Sequence, residues 1–129
     1  MSQYFERLDE YARAMMLANH QRREQDFRRA SESFAGLWNS RECKAYIRGL
    51  GVFAIRLNKS KREEERTAFL SDYSSYGLAG NRIAFSSGPI AYHLREELFE
   101  SLAGIISLTE VMKSFSQEVE SAFQREEIN

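Results

Sequence analysis

The sequence predicts an all-α fold: a bundle of four to six helices whose first helix is long enough to project from the body. Three observations predict it. Ala, Leu, Met, Gln, Glu, Lys and Arg make up 67 of the 129 residues, against 12 for Val, Ile and Thr. Straight-chain residues lose little rotamer freedom in a helix, whereas β-branched ones suit strands. Apolar residues recur at three- and four-residue spacing along nearly the whole chain. The third observation is punctuation: short polar side chains and glycines stand where apolar stripes begin and end.

The first region spans residues 3–38. Phe5, Leu8, Ala12, Met15 and Met16 form one stripe, and Phe27, Ala30, Phe34, Leu37 and Trp38 a second. Between them, residues 19–26 contain no apolar side chain. That gap is either a turn or a solvated stretch of one continuous helix. It holds no glycine, proline or clear N-cap, which favours continuity. A helix of 36 residues would be about 54 Å long. A domain of this size has a radius of gyration of only about 14 Å, so such a helix would project and its apolar face would want a partner.

The next element is a helix capped by Asn39 or Ser40, whose side-chain oxygen accepts from the free amides of the first turn. Its stripe is Tyr46, Ile47, Leu50, Phe53, Ala54 and Leu57, with Gly49 and Gly51 inside it. Each glycine costs about 1 kcal/mol against alanine there, which points to close helix contact or a local break. Ser60-Lys61-Arg62-Glu63 fits a capping box and opens a third helix, with Phe69, Leu70, Tyr73 and Tyr76 inward. Gly77 or Gly80 is the expected terminator, and residues 78–88 read as loop, with Arg82–Phe85 as an extended piece. Pro89 then opens the last region, striped by Ile90, Leu94, Leu98, Leu102 and Ile105. Ser107-Leu108-Thr109-Glu110 is a second capping box, so a new or kinked helix is expected to start there. Residues 124–129 are expected to fray. The chain shows no linker or repeat, and one domain over 1–129 is expected.

Composition excludes several classes. No apolar run approaches the length of about 20 residues that a membrane span needs, so no membrane partner is expected. The start lacks a basic region followed by an apolar one, and the lone cysteine cannot form an internal disulfide; the cytoplasm is the expected compartment. No cofactor signature is present.

Candidate chemistry is sparse. His93 and Glu97 share a helix face, but a metal centre needs three or four ligands, and the other histidine is His20. Cys43 lies beside Arg41 and Lys44 near a helix start, a setting that lowers a thiol pKa, but no histidine neighbours it and a small buried thiol is the expected reading. Ser86 and Ser87 precede a helix and read as caps. Glu63-Glu64-Glu65 and Glu96-Glu97 are adjacent residues, which diverge on a helix and decorate a solvated face rather than pairing for catalysis. These features argue against an enzyme.

The arginines carry the most information. The formal net charge is only −1, yet residues 1–62 hold 13 Lys/Arg against 7 Asp/Glu, and residues 63–129 hold 5 against 12. Arg22, Arg23, Arg28 and Arg29 cluster within eight residues, and Arg41, Lys44 and Arg48 form a helical stripe. Such stripes suit phosphate or carboxylate partners. The expected function is therefore a non-catalytic interaction or regulatory protein, acting through a protein partner or as a homodimer. The alternative is a nucleic-acid-binding accessory protein using the same seven residues.

Overall fold

The computed structural model describes residues 3–57, 63–86 and 96–128, with side chains over the same ranges except 56–57, 63–68 and 122–128. Among the described residues there are five α-helices and no strand: α1 (Gln3–His20), α2 (Glu24–Trp38), α3 (Arg41–Leu57), α4 (Glu63–Phe85) and α5 (Phe99–Ile128). The all-helical class holds.

Helices α1, α2, α4 and α5 close a ring in which each packs on the next, and α5 returns to α1. Glu6 of α1 pairs with Lys113 of α5, while Leu17 shares a groove with Phe99, so these two helices run antiparallel. Phe69 of α4 stacks on Phe115 with centroids 3.7 Å apart, and Gly104 faces Ala79, so α4 and α5 are antiparallel too. The core between them holds Phe5, Leu8, Met15, Phe27, Phe34, Tyr76, Ile83, Ile105 and Met112, each no more than 1% exposed. Helix α3 stands outside the ring. Its Tyr46 packs on the Tyr4 and Phe5 rings and shares a short hydrogen bond with Ser116 of α5.

Residues 3–38 are not one helix. The apolar gap contains a turn over 21–23, and α2 folds back on α1. The turn is a Schellman ending: the Arg23 amide donates to Ala18 O at 2.8 Å and the Arg22 amide to Asn19 O at 3.2 Å. Arg22 occupies the left-handed position, at φ 55°, where glycine is usual. Arg23 starts α2 with no side-chain cap. The turn thus uses neither of the residues that normally announce one. Folding back lets Phe27, Ala30 and Phe34 bury against the stripe of α1, and that burial outweighs the local strain.

Of the two candidate caps for α3, Ser40 serves: its Oγ accepts from the Cys43 amide at 3.2 Å and donates to Leu37 O at 2.7 Å. Gly49 and Gly51 do not break the helix. Gly51 marks a close approach, since a methyl group there would lie 2.5 Å from the Tyr73 hydroxyl.

The expected loop at residues 78–88 is overturned for its described part. Helix α4 passes through Gly77 and Gly80 to Phe85, and Ile83 and Ala84 extend its buried face. Gly80 is a packing residue rather than a terminator, because any side chain there would overlap the Trp38 indole. The expected restart at Ser107 is also absent. Helix α5 is continuous, with Ser107 Oγ donating to Gly104 O and Thr109 Oγ1 to Ile105 O at 2.7 Å. Both hydroxyls bond back to the preceding turn instead of capping a new one. The capping box at Ser60 and the opening of the last region at Pro89 lie outside the described residues, and the side chains of the expected frayed tail do too.

Candidate binding surface

The seven basic residues do not form one site. Arg22 and Arg23 sit at the α1–α2 turn, while Arg41, Lys44 and Arg48 begin beyond the far end of α2, a helix about 22 Å long. Near the turn, charge is cancelled locally. Arg23 pairs with Asp26 at 2.8 Å and Arg28 with Glu24 at 2.5 Å, both within one turn of helix. Arg22 and Arg29 are exposed and carry no ion pair with a described residue. The α3 stripe differs: Arg41, Lys44 and Arg48 are all exposed, and none pairs with a described carboxylate.

Lys44 and Arg48 form one wall of a groove of about 320 Å³ between α3 and α4, with Trp38, Tyr73, Gly77 and Asn81 completing it. Asn81 also lines a neighbouring lobe of about 570 Å³ with Asn39, Arg82, Ala84 and Phe85. Among the described residues, no carboxylate lines either lobe. Two hydrogen bonds hold the floor. Trp38 Nε1 donates to Asn81 Oδ1 at 2.8 Å, and the Tyr73 hydroxyl donates to Ile47 O at 2.8 Å. Burial pushes the Tyr73 hydroxyl pKa above its ordinary value, with the Arg48 charge opposing in part, so the phenol stays neutral.

A second, apolar groove of about 640 Å³ runs between α1 and α5. Met16, Leu17, Phe99 and Ile106 line it, with Arg13 and His20 at its margin. Leu17 is 50% exposed and Phe99 54% exposed, and the two stand together in this groove. Arg13 is tied to Asp9 at 2.9 Å. Where α5 begins, Glu96, Glu97 and Glu100 are exposed.

The candidate chemistry of single residues resolves simply. Cys43 is fully buried, and desolvation raises its thiol pKa to about 11. The flanking cations do not reach it, and it is an inert core thiol. Tyr76 is likewise held neutral by burial. Among the described residues, no three of His, Cys, Asp and Glu gather where they could hold a metal ion. His93 and Ser87 lie outside the described residues, as do the Glu63, Glu64 and Glu65 side chains. Ser86 closes α4, its amide donating to Arg82 O at 3.2 Å. No helix among the described residues is long and apolar enough to cross a membrane.

Sequence reasoning passed over Asn81, Arg82, Leu17 and Phe99. Asn81 and Arg82 fell in the supposed loop. Leu17 had a signal, since it follows Met15 and Met16 and lies off the buried stripe of Leu8, Ala12 and Met15. No protein-family model, curated protein or solved structure matches the chain.

Proposed function

We propose that this chain is a non-catalytic binding protein that works through protein contact, and that its partner on the α1–α5 groove is a second copy of itself. The observation that carries this reading is the apolar groove holding half-exposed Leu17 and Phe99 beside Met16 and Ile106. Apolar surface of this kind gains roughly 25 cal/mol for each Å² removed from water, before the cost of association. Charge favours a second copy over an unrelated protein. Exposed Arg22 follows the end of α1 on one side, and exposed Glu96, Glu97 and Glu100 stand at the start of α5. A twofold arrangement sets the basic edge of each protomer against the acidic edge of the other.

Solution mass tests this. The mass is expected to rise from the 15.0 kDa of one chain to twice that as concentration increases. Leu17→Ser and Phe99→Ser, both at exposed positions, are expected to leave the fold intact and hold the protein at one chain. A wild type that stays monomeric up to its solubility limit rejects self-association.

A second reading, nucleic-acid binding, is favoured by the exposed stripe Arg41, Lys44 and Arg48, which lacks carboxylate partners among the described residues. Its test is anisotropy of a labelled oligonucleotide at about 50 and 200 mM salt, where several phosphate contacts change affinity by orders of magnitude. Replacing these three residues by serine is expected to abolish binding. Replacing Arg23 and Arg28, which already have partners, is expected to change it little.

A further inference from the structure

We infer that the two-lobed groove between α3 and α4 is a binding site for a nucleoside phosphate, with the phosphate between Lys44, Arg48 and Asn81 and the base on Phe85. This goes beyond the docking reading and does not depend on it. It shares Lys44 and Arg48 with the second reading and gives them a ligand of defined size.

The argument starts from Asn81. An indole N–H can only donate, so the Asn81 atom facing Trp38 Nε1 must be the carbonyl oxygen. This fixes the amide orientation of a residue that lines the groove, and Nδ2 is its remaining donor. Lys44 and Arg48 contribute ammonium and guanidinium donors to the same lobe, and Arg82 adds another guanidinium where the second lobe begins. The Tyr73 proton is committed to Ile47 O, and no carboxylate lines the lobe among the described residues. A concave wall that carries several cationic donors and no described carboxylate favours an oxyanion, and arginine with lysine matches a phosphate better than an isolated charge does. The second lobe supplies the other half of the ligand. Phe85 is 93% exposed there, next to Arg82 and Ala84. An exposed ring beside a guanidinium is a surface on which a base stacks.

Gly77 provides a way to close the site without disturbing the fold. It lines the phosphate lobe, and a Cβ built there meets nothing within 4 Å. A leucine at this position enters the groove and suits the helix better than glycine does.

Trp38, the only tryptophan, borders the groove and reports occupancy by its fluorescence. The titrants are uridine monophosphate, uridine, inorganic phosphate and a short oligouridylate. Uridine monophosphate is expected to change the emission saturably, with uridine and inorganic phosphate each at least tenfold weaker. Gly77→Leu and the Lys44→Ser/Arg48→Ser pair are each expected to weaken it tenfold or more, with helicity unchanged by circular dichroism. Tighter binding of the oligonucleotide than of the monomer makes a nucleic-acid strand the source of the phosphate. Equal or weaker binding makes it a free nucleotide, which sustains this site and removes the second reading. The inference is overturned if no nucleotide binds, if Gly77→Leu leaves affinity unchanged, or if inorganic phosphate binds as tightly as the nucleotide.

Discussion

Gly80 of α4 lies directly beneath the Trp38 indole of α2, so closely that a single added methyl group would overlap the ring. The same indole stacks on Phe34 at 5.9 Å and meets Tyr76 at 5.9 Å, so it has little room to move. Gly77, one turn earlier, has open space in the same direction of growth. Two glycines three residues apart on one helix are therefore expected to respond oppositely to alanine. Gly80→Ala should destabilise by about 1–3 kcal/mol through overpacking. Gly77→Ala should stabilise by about 0.5–1 kcal/mol through helix propensity. Urea denaturation of both variants measures the signs, and equal signs would remove the packing account of Gly80.

The α1–α2 turn stores strain at one residue. Arg22 holds φ 55° with a side chain that prefers right-handed conformations, at a cost of about 1 kcal/mol. Arg22→Gly is expected to raise the melting temperature or leave it unchanged, despite the entropy glycine adds to the unfolded chain. A clear fall in melting temperature contradicts the left-handed assignment.

Tyr46 and Ser116 join α3 to α5 through a short hydrogen bond at a site where Ser116 is fully buried. Tyr46→Phe keeps the ring against Tyr4 and Phe5 but strands the serine hydroxyl, which should cost about 1–3 kcal/mol. Adding Ser116→Ala to that variant should recover part of the loss, since the stranded Ser116 hydroxyl is then removed. A double-mutant cycle with no coupling would show that the two hydroxyls are independent.

Cys43 makes stability depend on alkaline pH. Its thiol has an ordinary pKa of 9.0 and a folded value of about 11, so the native state holds the proton more tightly than the unfolded chain. The stabilisation is complete below pH 9.0 and is lost as pH rises from there towards about 11. Tyr73 and Tyr76, also raised by burial, add to the same trend at higher pH. Cys43→Ala should flatten the stability profile where the thiol titrates. In native protein a thiol reagent should label Cys43 only at the rate of opening, and rapid labelling at neutral pH would place the thiol at the surface.

Legibility in the sequence followed the physics of each element. Stripes at helical spacing identified the buried faces of α1, α2 and α3, because burial depends on periodicity that a single sequence displays. The cap on α3 was readable because Ser40 acts locally. The misread boundaries involved residues whose role is not fixed by residue type alone. Gly80 resembles a helix terminator until Trp38 is placed over it. Ser107 and Thr109 resemble caps until their hydroxyls bond back to Gly104 and Ile105. The Arg22 turn has no local signature, since its stabilisation comes from Phe27 and Phe34 meeting α1. Spacing along the chain cannot reveal which of the basic residues find a nearby acid. Arg23 and Arg28 do, and Lys44 and Arg48 instead border a groove that exists only once α4 extends past Gly80.

The pairing of Glu6 with Lys113 closes the ring between the first helix and the last. On a ribosome the α1–α2 hairpin emerges early, with the face of α1 that packs on α5 still open to solvent. At about 5–20 residues per second, the partner helix follows several seconds later. Throughout that interval the nascent chain presents an oily, incomplete hairpin, a natural client for chaperones that hold emerging polypeptides. Codon choice between the two helices, by lengthening or shortening that wait, is therefore a lever on yield that acts without changing a single side chain.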